Sequence, residues 1–391
     1  MSLTEQSAGE KDKDVVTRVV GVKTPTSAYD VHVGAGNLAE LGRIARESAG
    51  GARCCVISDT HVAPLWADAA EASLAEAGYD VAERLVFEAG EASKRLDTLE
   101  GLLEGLAERG LTRDDVVVAL GGGVVGDIAG LAAALYLRGI AVVQVPTSLL
   151  AMVDSSVGGK TAVDLAAGKN LAGAFWHPRA VVADVRTLST LSPELFADSC
   201  GEVIKHAVLA DARLLDALCE RPLTRAALPE QELVDVVARN VSIKRDVVNA
   251  DEHERGLRQT LNLGHTIGHA IEAASNFGLG HGSCVAAGLC CLLRAEAKLG
   301  WCAPELAQCV ERCVAAHGLP TDTDVDHKTL MGYLSHDKKR HADGVNLVVA
   351  HDVESIEIRR VSMDEMAHIV ELGCGTGAAG APAGEKNGAA L

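Results

Sequence analysis

The sequence predicts an α/β N-terminal domain with a doubly wound parallel sheet, followed by a mainly α-helical domain. Over residues 15–192, short β-branched and apolar runs alternate with helix-like segments, which is typical of parallel sheets covered by helices. From residue 193 onward, long segments with helical periodicity replace the strand-like runs. Aromatic residues make up only 3% of the chain, so small aliphatic side chains must form most of the core.

Individual elements follow from the same patterns. Buried parallel strands are predicted at residues 53–58, 116–120 and 142–145, and helices at 65–77 and 98–108. Further helices are predicted at 214–218, 231–249, 265–274 and 283–299, and late extended segments at 345–349 and 355–358. The polar residues 1–14 and the Gly/Ala-rich residues 372–391 are predicted to be flexible tails, which leaves domains at 15–192 and 193–371.

Composition limits the classes of function. The formal net charge of −18 argues against nonspecific nucleic-acid binding, which requires Lys and Arg to neutralise phosphates. The longest apolar stretch, residues 128–145, is interrupted by Arg138, and no signal-peptide pattern opens the chain. We therefore expect a soluble, cytoplasmic protein without a membrane partner, whose eleven cysteines are reduced and mostly buried.

A glycine cluster follows the strand predicted at 116–120. Gly122 and Gly123 would let a phosphate approach the backbone where the next helix starts, although an ordinary tight turn explains them equally well. The spacing does not fit the usual dinucleotide fingerprint. Asp127 lies in the first turns of that helix, and Asp59 ends an earlier strand, where it would contact a ribose hydroxyl or cap a turn.

Two lysines beside glycines mark the next segment. Gly-Gly-Lys160-Thr lacks the first glycine of an ATP-binding loop, because Asp154 stands at that position. Nine residues further, Lys169 follows another glycine. The pair suits a pocket for phosphate or carboxylate, whereas two solvated loop lysines are the simpler alternative.

Histidines and a glutamate provide candidate metal ligands. His265 and His269 lie at i and i+4 on one helix face, His281 follows, and Glu202 stands three residues before Lys205. Two histidines and one carboxylate form the ligand set of a catalytic divalent metal such as zinc, but spacing alone does not say which histidines bind.

The ordered set of motifs closely resembles the dehydroquinate synthase family. These motifs are Gly-Gly-Gly-Val-Val-Gly-Asp127, Pro146-Thr-Ser-Leu-Leu-Ala-Met-Val-Asp-Ser-Ser-Val-Gly-Gly-Lys-Thr161, Gly168-Lys-Asn-Leu-Ala-Gly173, Gly201-Glu-Val-Ile-Lys205 and Leu261-Asn-Leu-Gly-His-Thr-Ile-Gly-His-Ala270. The resemblance covers about residues 15–370. It implies an NAD-binding α/β domain, a helical domain with most metal and substrate ligands, and a homodimer.

The resemblance also implies the roles of individual residues. The implied NAD contacts are Asp59, Glu91, Lys94, Gly122, Gly123, Asp127, Thr147, Ser148, Lys169 and Thr190. The implied ligands of a Zn or Co ion are Glu202, His265 and His281. The implied substrate contacts are Arg138, Asp154, Lys160, Asn170, Lys205, Lys244, Arg258, Asn262, His269 and Lys338, with Arg138 reaching the neighbouring subunit. Those implied to be catalytic are Lys160, Lys205, Arg258, Asn262 and His269.

Three positions depart from the family pattern. Ser283 stands where a glutamate after His-Gly is usual, which puts the orientation of His281 in question. Leu195 replaces a usual glutamate, with Glu194 beside it, and Asp164 stands where asparagine is common. None of the three is an implied metal ligand.

The implied activity is the conversion of 3-deoxy-D-arabino-heptulosonate 7-phosphate into a carbocycle, 3-dehydroquinate. Its five steps are transient oxidation by NAD, β-elimination of phosphate, re-reduction, ring opening and intramolecular aldol closure. Alternatives are another sugar phosphate cyclase, such as an aminodehydroquinate, 2-deoxy-scyllo-inosose or epi-valiolone synthase, and a glycerol-type alcohol dehydrogenase. A noncatalytic dimeric scaffold is the alternative from a different class.

Overall fold

The N-terminal half of the chain forms the sheet. The computed structural model describes residues 16–224, 228–275, 278–335, 340–341 and 344–375. Its strands are β1 Arg18–Lys23, β2 Ala28–Gly34, β3 Arg53–Asp59, β4 Asp80–Phe87, β5 Val116–Gly121, β6 Ala141–Pro146, β7 Lys160–Leu165, β8 Gly168–Phe175, β9 Ala180–Asp184, β10 Arg340–His341, β11 Gly344–Asp352 and β12 Ser355–Val361.

The helices divide between the two halves. Those that accompany the large sheet are α1 Leu41–Ala49, α2 Ala63–Glu76, α3 Leu96–Glu108 and α4 Gly123–Leu135. Those that follow are α5 Pro193–Ala210, α6 Ala212–Glu220, α7 Glu230–Ala250, α8 His265–Ala274, α9 His281–Lys298, α10 Pro304–Ala316, α11 His327–Ser335 and α12 Met363–Gly373. Short turns of 3-10 helix lie at Glu91–Ser93, Tyr136–Arg138, Val185–Thr190 and Leu257–Asn262.

The seven-stranded sheet has the order β1-β2-β9-β6-β5-β3-β4. Its strands pair in parallel except for β1 and β2, which form an antiparallel edge. Both faces of the central strands are buried, as continuous β-branched runs predict for a parallel sheet. The predicted doubly wound parallel α/β architecture with a helical second part is confirmed, and the antiparallel edge is an addition to it.

A shared apolar core joins the sheet to the later helices. Val31 of β2 and Val181 of β9 belong to the same buried cluster as Val203 of α5 and Val241 of α7. Two further clusters fill the spaces between the sheet and its own helices. Strands β2 and β9 thereby share one core with α5 and α7, which carry predicted site residues.

The hairpin of β7 and β8 is among the elements that the sequence patterns did not predict. Lys160 and Lys169, predicted to suit a phosphate or carboxylate pocket, lie on this antiparallel hairpin. The hairpin has few large apolar residues and several glycines, so no period-two pattern marked it. Among the described residues, no helix is both long and apolar enough to cross a membrane.

Candidate active site

The glycine turn lies at the carboxyl edge of the sheet. Gly122 caps α4, and a Cβ added there would come within 3.5 Å of Ser148 Oγ, which follows β6. The Thr147 N–H donates to the Gly121 carbonyl at 2.9 Å, so the ends of β5 and β6 are tied together. We call Gly122, Gly123, Thr147 and Ser148 the cofactor edge. An open backbone at a helix N-terminus is a favourable place for a phosphate.

Asp59 and Thr190 lie beside α2. Asp59 Oδ1 accepts hydrogen bonds from the N–H groups of His61 and Val62, at 2.9 and 2.8 Å. Asp59 therefore caps this turn through Oδ1. Thr190 accepts a hydrogen bond from Trp66 Nε1 of α2 at 3.2 Å.

Lys94 connects α4 to the hairpin. It is 5% exposed, and its Nζ lies 2.5 Å from Asp127 Oδ2 and 2.6 Å from Asn170 Oδ1. The structure thus groups Asn170, an implied substrate contact, with two implied cofactor contacts. Asp164 accepts from the Asn170 N–H at 2.7 Å, so the departure at this position stabilises the hairpin turn.

Three helices bring the candidate metal ligands together. Glu202 Oε1 of α5 lies 3.2 Å from His265 Nε2 and 3.2 Å from His281 Nε2. We call these three residues the metal centre. Its compactness depends on Gly201, where a Cβ would be 2.0 Å from the Gly282 carbonyl oxygen. Only glycine there lets α5 and α9 approach so closely that Glu202 faces His281.

The donor set of the metal centre fits a divalent cation. The Glu202 side chain is fully buried, and its Oε2 accepts no hydrogen bond from the described residues. Lys205 Nζ lies 2.5 Å from that oxygen, but it donates its hydrogen bond to the Leu261 carbonyl at 2.9 Å. His265 Nδ1 faces the Leu263 carbonyl at 3.2 Å, which leaves Nε2 directed at Glu202. A buried carboxylate facing two imidazoles is a typical zinc ligand set.

His269 lies one turn beyond His265 on α8. Its ring centroid is 5.1 Å from that of His265 and 5.8 Å from that of His281. The nitrogen atoms of the three histidines could also converge on one ion, so geometry does not exclude His269 as a ligand. Its place beside the metal centre is equally suited to the implied contact with substrate.

Glu272 is a functional candidate that the sequence reasoning missed. It lies on α8, three residues after His269, and is 5% exposed. Its carboxylate contacts His281 Nδ1 at 3.3 Å and Lys169 Nζ at 2.7 Å. Burial opposes ionisation, but the hydrogen bonds from these partners lower the pKa of Glu272 to about 2. The i, i+3 spacing from His269 was the signal that could have revealed it.

Ser283 does not occupy the position of a carboxylate beside His281. Its hydroxyl and its N–H both donate to Asp198 Oδ1 of α5 at 2.7 Å. The Gly282 N–H donates to the other oxygen of Asp198 at 3.2 Å. Asp198 therefore satisfies the free N–H groups at the start of α9. Although burial lowers it, the hydrogen bonds to Glu202 and Glu272 raise the pKa of His281 to about 10.

Asp154 and Lys244 form a buried pair behind Glu202. Lys244 Nζ lies 2.7 Å from Asp154 Oδ1 and 2.6 Å from its carbonyl oxygen. Burial lowers the pKa of Lys244 to about 8, against the opposing effect of Asp154. His206, also missed from sequence, lies 3.8 Å from Asp154, and its Nδ1–H donates to Asn240 Oδ1 at 3.2 Å.

Arg258 is 1% exposed and bound to backbone. Its guanidinium donates to the carbonyl oxygens of Glu252 and Gly158 at 2.5 and 3.0 Å. Its Nε has no hydrogen-bond partner among the described residues. The buried Nε–H group of Arg258 is therefore available to donate to an acceptor.

A second missed carboxylate, Glu254, lies between two implied substrate contacts. Its oxygens are 2.5 Å from Lys160 Nζ and 2.9 Å from Asn262 Nδ2. We call Lys160, Glu254 and Asn262 the phosphate corner. Lys338, implied to join them, lies outside the described residues.

Two further positions stand on the surface. Arg138 is exposed on the turn that follows α4, and Leu195 is 57% exposed on the first turn of α5. Glu91 lies 3.1 Å from Lys169 Nζ, which joins it to the site.

Comparisons with known proteins agree with this arrangement. The family described as 3-dehydroquinate synthase N-terminal matches residues 84–198, and that described as 3-dehydroquinate synthase C-terminal matches residues 199–340. The 3-dehydroquinate synthase of Citrifermentans bemidjiense is 38% identical over 365 residues, which is 93% of this chain and 100% of that protein.

Solved structures show the same fold. A 2-deoxy-scyllo-inosose synthase complexed with carbaglucose-6-phosphate, NAD+ and Co2+ aligns with a TM-score of 0.81 and 25% identity, covering 91% of this chain and 100% of that one. The 2-epi-5-epi-valiolone synthase of Streptomyces hygroscopicus, with NAD+ and Zn2+ bound, aligns with a TM-score of 0.80 and 26% identity, covering 91% and 99%. The matches to both halves and to a full-length relative establish that this chain belongs to the 3-dehydroquinate synthase family.

Proposed function

We propose that this chain converts 3-deoxy-D-arabino-heptulosonate 7-phosphate into 3-dehydroquinate and phosphate, with NAD and a divalent metal ion. The observation that carries the proposal is the metal centre, which lies among Lys205, Lys169 and Lys244 in a chain of net charge −18. A local cluster of cations in an acidic protein is what an anionic substrate requires.

Glu202, His265 and His281 would hold the metal ion. When bound, a Zn or Co ion would lower the pKa of a substrate hydroxyl and so ease its oxidation. Lys205 lies 2.5 Å from Glu202, and we propose that it contacts the substrate beside the metal ion and stabilises negative charge there. Its burial keeps it in place, since only 2% of its side chain is exposed.

NAD would bind along the cofactor edge, where Gly122 and Gly123 leave the backbone open. When bound, NAD would accept a hydride from the substrate and return it later in the reaction. Asp127, Lys94 and Lys169 would orient the cofactor next to the hairpin. Further contacts with NAD are proposed for Asp59, Glu91 and Thr190.

The substrate carboxylate would meet Lys244 and the free N–H of Arg258. The phosphate would bind at the phosphate corner, together with His269, Asn170 and Lys338. Glu254 holds Lys160 and Asn262 in place in this corner. Arg138 is proposed to reach the site of a second subunit in a homodimer.

Another sugar phosphate cyclase is the second candidate, because two such enzymes align with TM-scores of 0.81 and 0.80. Their sequence identities of 25% and 26% are well below the 38% shared with a 3-dehydroquinate synthase. The buried cations Lys244 and Arg258 favour a substrate with a carboxylate.

Release of inorganic phosphate tests the proposal. We expect the purified chain, supplied with NAD+ and zinc or cobalt, to release phosphate from the heptulosonate phosphate and to form dehydroquinate. Glucose 6-phosphate, which has no carboxylate, should release none. Release from the hexose phosphate alone would identify a cyclase of the 2-deoxy-scyllo-inosose type, and no release from the heptulosonate phosphate would refute the main proposal.

A further inference from the structure

Glu272 contacts both halves of the proposed active site. One carboxylate oxygen lies 2.7 Å from Lys169 Nζ, on β8 of the N-terminal half. The other lies 3.3 Å from Nδ1 of His281, the first residue of α9. The side chain of Glu272 is only 6% exposed, so water does not replace these partners easily.

The contact with His281 determines which ring nitrogen is available. When the Nδ1–H of an imidazole donates to a carboxylate, Nε2 is the nitrogen that can bind a metal ion, and here Nε2 lies 3.2 Å from Glu202 Oε1. Ser283 cannot supply this carboxylate, because its hydroxyl donates to Asp198. Among the described residues, Glu202 and Glu272 are the carboxylates that contact His281.

The contact with Lys169 lies on the cofactor side. Lys169 Nζ also meets Glu91 Oε1 at 3.1 Å, so two carboxylates hold this ammonium group. The following residue, Asn170, accepts a hydrogen bond from Lys94. Lys169 is therefore fixed by α8 from one direction and by the turn Glu91–Ser93 from another.

We propose that Glu272 is a positioning residue that orients His281 through one oxygen and Lys169 through the other, and so couples metal binding to NAD binding. The inference rests on the proposed function of the two sites. Its physical basis is that one rigid, buried carboxylate serves both, so ordering of either partner reduces the freedom left to the other.

Binding measurements without substrate test the proposal. The test variant is Glu272→Gln in the full chain. This substitution keeps the shape of the side chain and removes its negative charge. We expect its zinc affinity to fall about 10- to 100-fold, the usual cost of losing a carboxylate behind a histidine ligand. Its NAD affinity should also fall. We expect zinc to alter the NAD affinity of the natural chain and to have no such effect on this variant.

Glu91→Gln is the matched control. Its carboxylate contacts Lys169, whereas the described carboxylate partners of His281 are Glu202 and Glu272. This variant should lose NAD affinity and keep zinc affinity. If Glu272→Gln does not fold, Glu272→Asp, which keeps the charge but shortens the reach, should show the same two losses to a smaller extent.

The outcomes separate the two levels of inference. Failure of the natural chain to bind zinc and NAD would overturn the proposed function. Binding of both by the natural chain, with the zinc affinity of Glu272→Gln unchanged, would overturn only the role of Glu272. Loss of zinc affinity without any change in the zinc dependence of NAD binding would refute the coupling.

A second inference rests on a separate cluster of thiols. Cys219 at the end of α6 and Cys309 on α10 have their sulfur atoms 3.5 Å apart, although 90 positions separate them in sequence. Cys219 is exposed and Cys309 is half-buried, whereas the other nine cysteines are buried. Burial and the hydrogen bond to Cys309 raise the pKa of Cys219 to about 11, so Cys219 is a thiol at neutral pH.

We infer that Cys219 and Cys309 form a reversible intramolecular disulfide in the presence of hydrogen peroxide. The two thiols are oxidised and the O–O bond of peroxide is reduced, so one S–S bond and two water molecules form. Bond formation must shorten the distance between the sulfur atoms from 3.5 Å to about 2.05 Å.

Peptide mapping of the full chain without reductant tests this inference. After peroxide treatment and alkylation, we expect a cross-linked pair of peptides containing Cys219 and Cys309, which dithiothreitol separates. Cys219→Ser should lose the cross-link, and Cys302→Ser, a change at a buried cysteine, should retain it. Recovery of Cys219 as a free thiol, as a sulfinic acid, or linked to Cys313 or to another chain would overturn the inference.

Discussion

The Glu202 side chain of the metal centre has no exposed surface, whereas the Lys160 side chain of the phosphate corner is 49% exposed. The metal centre is held by three helices that pack through glycines, and its ligands face one another at 3.2 Å. The phosphate corner lies instead on a hairpin and on the segment around Glu254, where the backbone has a positive φ of 58°. The first region is fixed by packing and the second by an ion pair.

This difference predicts different consequences of substitution. A packed and largely buried cluster holds its charges at fixed distances, and removing one leaves the others without compensation. An exposed ion pair is screened by solvent and contributes little by itself. Substitutions in the metal centre should therefore eliminate turnover, whereas each substitution in the phosphate corner should only reduce it.

The largest effect is expected from His265→Ala. Removal of one of the three metal ligands should lower zinc affinity by more than about 100-fold. Loss of a residue that only supports a ligand already lowers metal affinity by up to about that factor, and loss of the ligand itself should lower it further. Turnover should fall to background, as measured by phosphate release and by the metal content of the purified protein. Full activity with normal zinc content would show that His269 replaces His265 as a ligand.

Lys160→Met should have a smaller and more selective effect. Loss of one charged hydrogen bond to phosphate lowers kcat/KM by about 10- to 100-fold. Zinc and NAD affinities should not change, which isothermal titration of each ligand can measure. A parallel loss of zinc affinity would mean that the two regions are not independent.

The pH dependence should report on Lys244. Its pKa is lowered to about 8, so it is charged below pH 8 and loses its charge as the pH rises. KM for the anionic substrate should then rise above pH 8, by up to tenfold per pH unit, in steady-state assays from pH 6.5 to 9.5. Lys244→Met should have a higher KM throughout and no inflection near pH 8.

Loss of the proton from Lys244 weakens substrate binding as the pH rises, but it has the opposite effect on the stability of the fold. Between pH 8 and the unfolded value of 10.5, unfolding takes up a proton at Lys244, so this contribution to the free energy of unfolding rises with pH.

Ser283→Ala should have the smallest effect. The variant loses one hydrogen bond to Asp198 and should unfold about 1 kcal/mol more easily in urea. Its zinc affinity should equal that of the natural chain, because Glu272 and not Ser283 contacts His281. A lower zinc affinity would contradict the assignment of the orienting carboxylate to Glu272.

Much of the fold could be predicted from local patterns. The helix predicted at 265–274 is α8 itself, and the strands predicted at 116–120 and 142–145 are β5 and β6. These segments have a single clear period, which burial on one or both faces imposes. The hairpin of β7 and β8 was missed because its glycines and lysines have no such period.

The residue types at the site were likewise evident before the structure. Glu202, His265 and His281 were named from the sequence, and the structure brings them into contact. Spacing alone could not distinguish His269 from the other histidines, and the positions of their rings still permit it as a ligand.

Sequence by itself determined the architecture and the chemical content of the site, because periodicity and residue type are local properties. Only the tertiary structure decided which groups are partners: Glu272 with His281 and Lys169, Glu254 with Lys160, and Ser283 with Asp198. Each of these pairs joins segments far enough apart that their distance depends on helix packing. Packing at such glycine contacts as Gly201 with Gly282 is a property of the whole fold, and no local pattern contains it.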